Sequence, residues 1–157
     1  MNFDIKMQYI KNNNEVLRIL GELQDSCDIE KKNKCVSFSV SEDTHEKLGR
    51  IAKSLGQSLT GMVHAVLLNL LAQIIANNYI FTPDLTGFDF YVEKKGGKPI
   101  RIHLTETVVS HLNKISRLNA REKSTIGTYA VLCCIKQKLE TLKIDYTASP
   151  LNFKFDL

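Results

Sequence analysis

The chain has 157 residues, of which 43% are hydrophobic, so it can form one compact domain or two very small units that share a core, but not two full-sized domains. Its four cysteines form no C-x-x-C pair, and no histidine stands at zinc-ligand spacing from them, which argues against a disulfide framework and a structural zinc site. The apolar stretch 59–76 is interrupted by His64, Asn69 and Gln73, and no signal-peptide pattern marks the start of the chain. We therefore expect a cytoplasmic protein without a membrane segment.

The formal net charge of +4 is unevenly distributed along the chain. Residues 99–142 contain seven Lys and Arg residues against three Asp and Glu residues, whereas acidic and basic residues balance in the rest of the chain. This segment is a local basic region of the kind that binds nucleic acid, although a solvated helix face has the same composition.

The two ends of the chain and the segment between residues 77 and 98 carry fewer signals. Residues 1–34 are predicted to form an N-terminal extension with a short helix around Glu15 to Gln24, residues 77–98 a linker, and residues 143–157 a C-terminal tail. Self-association or binding of a protein partner through either end is compatible with these patterns.

Residues 35–76, the first copy, have the pattern of a strand followed by two helices. Apolar residues alternate with polar ones at the start, as in a strand with one buried face: Val36, Phe38 and Val40. Ser41 is predicted to cap the first helix and Gly56 to end it. Ser58 is predicted to cap a second helix, which is apolar nearly all round and therefore has to be buried.

The same order of signals returns in residues 99–142, the second copy. Apolar residues again alternate along a strand: Ile100, Ile102 and Leu104. Thr105 is predicted to cap the first helix, Asn119 to adopt the left-handed conformation at its end, and Ser124 or Thr125 to begin the second helix.

The two copies form an internal repeat. Their strands align at a separation of 64 residues, and "HAVLLNL" of the first copy aligns with "YAVLCCI" of the second at 65. Neither copy can bury its apolar faces alone, so we predict a mainly α fold in which the two strands pair as a two-stranded antiparallel ribbon over four helices. The ribbon can form within one chain or between two chains.

A competing interpretation pairs the second strand locally. The sequence "FDFYVEKKGGKPIRIHL" is also typical of a hairpin, with strands at Phe88 to Glu93 and Pro99 to Leu104 around a Gly-Gly turn. In that case the ribbon gains an extra strand or does not form.

The segments "VSFSVSEDTHEKLGRIAKSLGQSLTGMV" and "IRIHLTETVVSHLNKISRLNAREKSTIGTYAV" resemble the ribbon-helix-helix (MetJ/Arc-like) family of DNA-binding proteins. The second segment departs from the pattern in having no glycine in the turn. Two copies in one chain resemble the accessory proteins of conjugative relaxosomes and some plasmid or viral repressors. The resemblance implies a tandem ribbon-helix-helix pseudo-dimer in one chain.

The resemblance also implies a function in binding double-stranded DNA, as a transcriptional regulator or a plasmid-transfer accessory factor. Family members lay the ribbon in the major groove. The positions implied to face the bases are Cys35, Ser37, Ser39, Arg101 and His103. Arg101 can donate two hydrogen bonds to guanine and His103 one, whereas the serines reach only closely apposed base edges and Cys35 is a poor reader.

Phosphate contacts in the family come from the start of the second helix, where free backbone N–H groups and the helix dipole favour an anion. In the two copies the matching residues are Ser58, Thr60, Arg121, Lys123, Ser124 and Thr125. The run "EKKGGK" adds candidate phosphate contacts from Lys94, Lys95 and Lys98. Ordinary N-capping explains the hydroxyl residues equally well.

An alternative function is a protein-interaction module on the same fold, because half of the ribbon carries side chains too short for base readout. An enzyme is not expected, since no histidine stands beside an obvious nucleophile and no phosphate-binding loop is present. We accordingly expect no catalytic residues, no cofactor and no metal site.

Overall fold

The computed structural model describes residues 2–81 and 97–131, with side chains described from residue 14 onward. This part of the chain is mostly helical and contains a two-stranded antiparallel sheet. The elements in chain order are α1 (Asn2–Ile29), β1 (Lys34–Val40), α2 (Glu42–Ser54), α3 (Leu59–Ala76), β2 (Lys98–Leu104), α4 (Glu106–Asn119) and α5 (123–131). The predicted strand Phe88 to Glu93 and the tail 143–157 lie outside the described residues.

Helix α1 is much longer than the short helix predicted around Glu15 to Gln24, since it runs for 28 residues. Its apolar side packs along α3 and buries Val16, Ile19, Leu20 and Leu23. On its exposed side Arg18 pairs with Glu15 and Glu22 one turn away in each direction. Such pairs between solvent-exposed side chains contribute little to stability, so packing on α3 is the larger stabilising contribution.

Strands β1 and β2 pair with each other within one chain and form the predicted ribbon. Apolar residues of both strands are buried on the inner face: Phe38, Val40, Ile100, Ile102 and Leu104. The period of two places the intervening residues on the other face, which is exposed. The two predicted strands therefore pair with each other, whereas the first strand of the competing hairpin, Phe88 to Glu93, lies outside the described residues.

Local signals set the starts of α2, α3 and α4 as predicted. The hydroxyl of Ser41 accepts a hydrogen bond from the Thr44 N–H at 3.1 Å, Ser58 accepts one from Gly61 at 3.0 Å, and Thr105 accepts one from Val108 at 3.3 Å. Each cap satisfies one of the N–H groups that a helix start leaves free.

The end of α4 differs from the prediction at two points. Asn119 is the last helical residue, and Ala120 adopts the left-handed conformation, with φ of 51°. Asn119 stays helical because its side chain is engaged by the chain that follows α3. Helix α5 begins at residue 123, one or two residues earlier than predicted, and the Thr125 N–H already donates to the Glu122 carbonyl at 3.0 Å.

Helix α3 occupies the centre of the core. It contacts α1, α2, α4 and β2, and its polar Asn69 and Gln73 are buried with their amide groups hydrogen-bonded to each other at 2.8 Å. By length and composition α3 is the one helix in the described ranges that could cross a membrane, and 61% of it is buried inside the protein. The core helix of a soluble protein has the same properties.

Candidate nucleic-acid interface

The outer face of the ribbon carries all five residues implied to face DNA bases. Cys35, Ser37 and Ser39 on β1 and Arg101 and His103 on β2 are all exposed. Cys35 lies opposite His103 and Ser37 opposite Arg101, while Pro99 lies opposite Ser39. Directly opposite residues have Cβ atoms roughly 4.5–5.5 Å apart. The arrangement thus places two long hydrogen-bonding side chains, the cationic Arg101 and His103, beside short neutral ones.

Arg101 is available for a ligand on this face. Among the residues that the structure describes, its guanidinium forms no ion pair. A free guanidinium on an exposed ribbon can donate two parallel hydrogen bonds to a planar acceptor pair such as guanine O6 and N7. This is the strongest recognition group on the face.

Two lysines stand at opposite ends of the ribbon. Lys98 begins β2 opposite Val40, and Lys34 begins β1 opposite Leu104. By the strand period both belong to the inner-face set but are exposed at the ribbon ends, a position better suited to flanking phosphates than to bases. Lys34 was not among the predicted residues, because the strand begins one residue earlier than its alternation indicates, and its ammonium lies 3.8 Å from a Glu106 carboxylate oxygen.

The starts of α3 and α5 differ in charge. At α3, Ser58 and Thr60 are exposed, and no charged residue lies in the first turn. At α5, Lys123 is exposed, and Arg121, Ser124 and Thr125 are partly buried. Glu122 is also exposed there and accepts a hydrogen bond from the Ser124 hydroxyl at 3.4 Å, so the positive charge at this helix start is partly offset. Lys94 and Lys95 lie outside the described residues.

The chain just before β1 is attached to the start of α4 by contacts that the sequence did not indicate. The Ser26 and Thr105 hydroxyl oxygens lie 3.0 Å apart and are buried. The Glu30 carboxylate accepts a hydrogen bond from the Thr107 N–H at 3.1 Å and another from the Thr107 hydroxyl. These two bonds hold the pKa of Glu30 below its usual range. The extension at 1–34 is thereby tied to the second copy.

A second set of contacts attaches the residues that follow α3 to α4. Asn119 donates to the carbonyls of Tyr79 and Ile115, both at 2.8 Å, and accepts from the Phe81 N–H at 2.9 Å. Tyr79 holds φ of 62°, and its hydroxyl lies 2.9 Å from His111 Nδ1.

Lys114 belongs to the same contact region. Its ammonium lies 4.0 Å from the centre of the Tyr79 ring, a cation–π distance. One of the basic residues of the second copy is therefore engaged in holding the fold.

No group of three or more His, Cys, Asp or Glu side chains in the described ranges is arranged to hold a metal ion. Comparisons of the chain with models of protein families, with curated proteins and with solved structures found no match.

Proposed function

We propose that the chain is a single-chain ribbon-helix-helix pseudo-dimer that binds double-stranded DNA with the outer face of the β1–β2 ribbon in the major groove. The proposal includes a cytoplasmic role as a transcriptional regulator or as an accessory factor of plasmid transfer. The observation that carries it is the exposed ribbon face, on which Arg101 forms no ion pair with any residue that the structure describes and His103 lies beside it.

The pseudo-dimer is supported by the spacing of equivalent features. The helix caps Ser41 and Thr105 are 64 residues apart, and the left-handed residues Gly56 and Ala120 have the same separation. The ribbon register pairs Ser37 with Arg101, which is also 64 residues further on. A residue paired with its own equivalent is what a local two-fold axis through the ribbon requires.

The DNA-binding proposal is supported by charge as well as shape. A two-stranded ribbon fits the major groove of B-DNA, and the donors on its outer face can reach base edges there. The phosphate contacts we propose come from Ser58 and Thr60 at the start of α3, from Arg121, Lys123, Ser124 and Thr125 around the start of α5, and from Lys94, Lys95 and Lys98 before and at β2.

The test is fluorescence anisotropy of a labelled random-sequence duplex, titrated with protein at several salt concentrations and with unlabelled competitor. Wild type is compared with Arg101→Ala/His103→Ala and with Lys53→Ala, which removes one positive charge from the exposed end of α2. We expect salt-sensitive binding that the double variant weakens well beyond the Lys53 variant. An equal loss in both would show that only net charge matters, and no binding at low salt would end the proposal.

The alternative, a protein-interaction module, is favoured by one observation. Four of the six outer-face positions on the ribbon carry side chains that are both short and uncharged: Cys35, Ser37, Ser39 and Pro99. A face of this kind also suits an extended peptide or a second protein surface. Duplex binding with a steep salt dependence and a clear preference over random DNA would remove this alternative.

A further inference from the structure

We infer that the DNA site of this chain is non-palindromic and that one chain binds it in a single orientation. This inference rests on the proposed function, and it concerns the kind of duplex that the ribbon accepts. A symmetric ribbon dimer presents each side chain twice, once per half-site, so the palindromy of its operator mirrors its own two-fold symmetry. Three independent features break that symmetry here.

The outer face of the ribbon is the first feature. The equivalent positions at a separation of 64 residues are Cys35 and Pro99, Ser37 and Arg101, and Ser39 and His103. In none of these pairs are the two side chains alike. Arg101 therefore contributes one guanidinium near the local two-fold axis, and His103 contributes a ring on one side of the axis where the other side has the short hydroxyl of Ser39.

The charge around the ribbon is the second feature. In the first copy Lys47 pairs with Asp43 at 3.0 Å, and Arg50 pairs with Glu46. Lys53 is the one basic residue of the first copy outside such pairs, whereas in the second copy, within the described ranges, Arg101, Arg117 and Lys123 form no ion pair. Attraction to phosphates therefore comes mainly from the side of the second copy.

The attachment of α1 is the third feature. Ser26 and Glu30 bind the start of α4 through Thr105 and Thr107. At the equivalent start of α2 the side chains form hydrogen bonds locally, since the Ser41 hydroxyl donates to the Thr44 hydroxyl oxygen at 2.8 Å. The two ends of the ribbon are thus bordered by different structures, and turning the chain by 180° on DNA would not give an equivalent complex.

The experiment is a selection of bound duplexes from a random library with the full chain, followed by titration of the selected site and of two symmetrised sites. In one symmetrised site both halves carry the half-site whose bases the selection specifies more strongly. In the other, both halves carry the half-site whose bases it specifies less strongly. We expect a non-palindromic consensus, near-native affinity for the first symmetrised site, and a loss of roughly tenfold or more for the second, as for a few mismatched base pairs. The mass of the complex is expected to correspond to one chain per site.

A variant makes the inference sharper. Ser39→His places a second histidine at the position equivalent to His103, so its selected consensus is expected to become more nearly symmetric at the base pairs that face these two positions. Lys53→Ala, outside the ribbon, is expected to keep the wild-type consensus. A palindromic wild-type consensus, equal affinity for both symmetrised sites, or duplex binding with no enriched sequence would overturn the inference while leaving DNA binding intact. Absence of duplex binding would overturn the proposed function itself.

Discussion

Gly127 of α5 lies directly against the ring of Phe38 on β1, so close that a Cβ atom at this glycine would stand 2.7 Å from two ring carbons. The second helix of one copy thereby packs beneath the strand of the other, and α3 of the first copy likewise contacts β2 of the second. The two copies interlock, so their stability is shared.

Gly127→Ala is expected to destabilise the protein by about 1–3 kcal/mol, because the buried Phe38 ring has to shift in a packed core. Urea unfolding followed by circular dichroism measures this loss. Gly49→Ala is the matched control: Gly49 lies in α2, and a Cβ atom added there would meet nothing within 4 Å, so this change is expected to stabilise the helix by up to about 1 kcal/mol. Equal behaviour of the two variants would contradict the packing of α5 on β1.

Asn119→Ala is expected to lower the free energy of unfolding by about 1–3 kcal/mol, because it removes the partner of the buried Phe81 N–H and a donor to the Tyr79 carbonyl. Asn113→Ala, at an exposed position of the same helix, is expected to change stability by less than about 0.5 kcal/mol. Hydrogen exchange gives a local readout, since the Phe81 amide should lose protection in the first variant and keep it in the second.

How far the sequence predicts this fold depends on the range of each signal. The alternation around Phe38 and Ile102 and the hydroxyls at Ser41 and Thr105 act within a few residues, and they predicted both strands and the starts of α2 and α4 correctly. The Glu30 contact with Thr107 spans 77 residues. No local pattern indicates it.

The candidate site shows the same difference between what local patterns predict and what depends on contacts between distant residues. The strand period was sufficient to place Arg101 and His103 on the exposed face, but their pairing with Ser37 and Cys35 depends on the register between distant strands. Asn119 was assigned to the left-handed turn on residue preference alone. Its hydrogen bonds with the chain after α3 explain why Ala120, a residue without that preference, occupies the turn.

Stability is expected to fall as the pH decreases from 7 to 5. Burial lowers the pKa of His64 and of His111 in the folded protein, and the nearby Lys32 and Lys114 act in the same direction, while Glu22 acts against them at His111. The unfolded chain then binds protons more readily than the folded one, so this stability is complete above a pH of roughly 6.5 and is lost below it. Thermal melts of wild type, His64→Gln/His111→Gln and the exposed-site control His103→Gln at several pH values test this. The double variant should lose the pH dependence of its melting temperature and the control should keep it, so an equal loss in both would contradict the prediction.

At lower pH the carboxylate of Glu30 contributes to the pH dependence of stability. The pKa of Glu30 is lowered by its bonds to Thr107, so its contribution is present above the unfolded pKa of roughly 4.3 and lost as the pH falls through the lower folded value. Glu30→Gln should therefore flatten the decline in stability at low pH. Asp25→Asn removes an exposed carboxylate of α1 that forms no ion pair with the described residues and serves as the control. Identical acid profiles for the two variants would show that the Glu30–Thr107 bonds do not contribute to stability.

Lys123→Ala and Arg101→Ala are expected to weaken DNA binding in different ways. Lys123 stands at the start of α5, where a contact with phosphate carries no sequence information, so its loss should weaken all duplexes alike and reduce the salt slope by about 1. In the proposed complex Arg101 faces the bases, so its loss should lower the binding free energy for the selected site by about 1–3 kcal/mol and relax the preference at one base pair. Titration of selected and random duplexes at several salt concentrations separates the two effects, and if both variants change only the salt slope, the ribbon does not read bases.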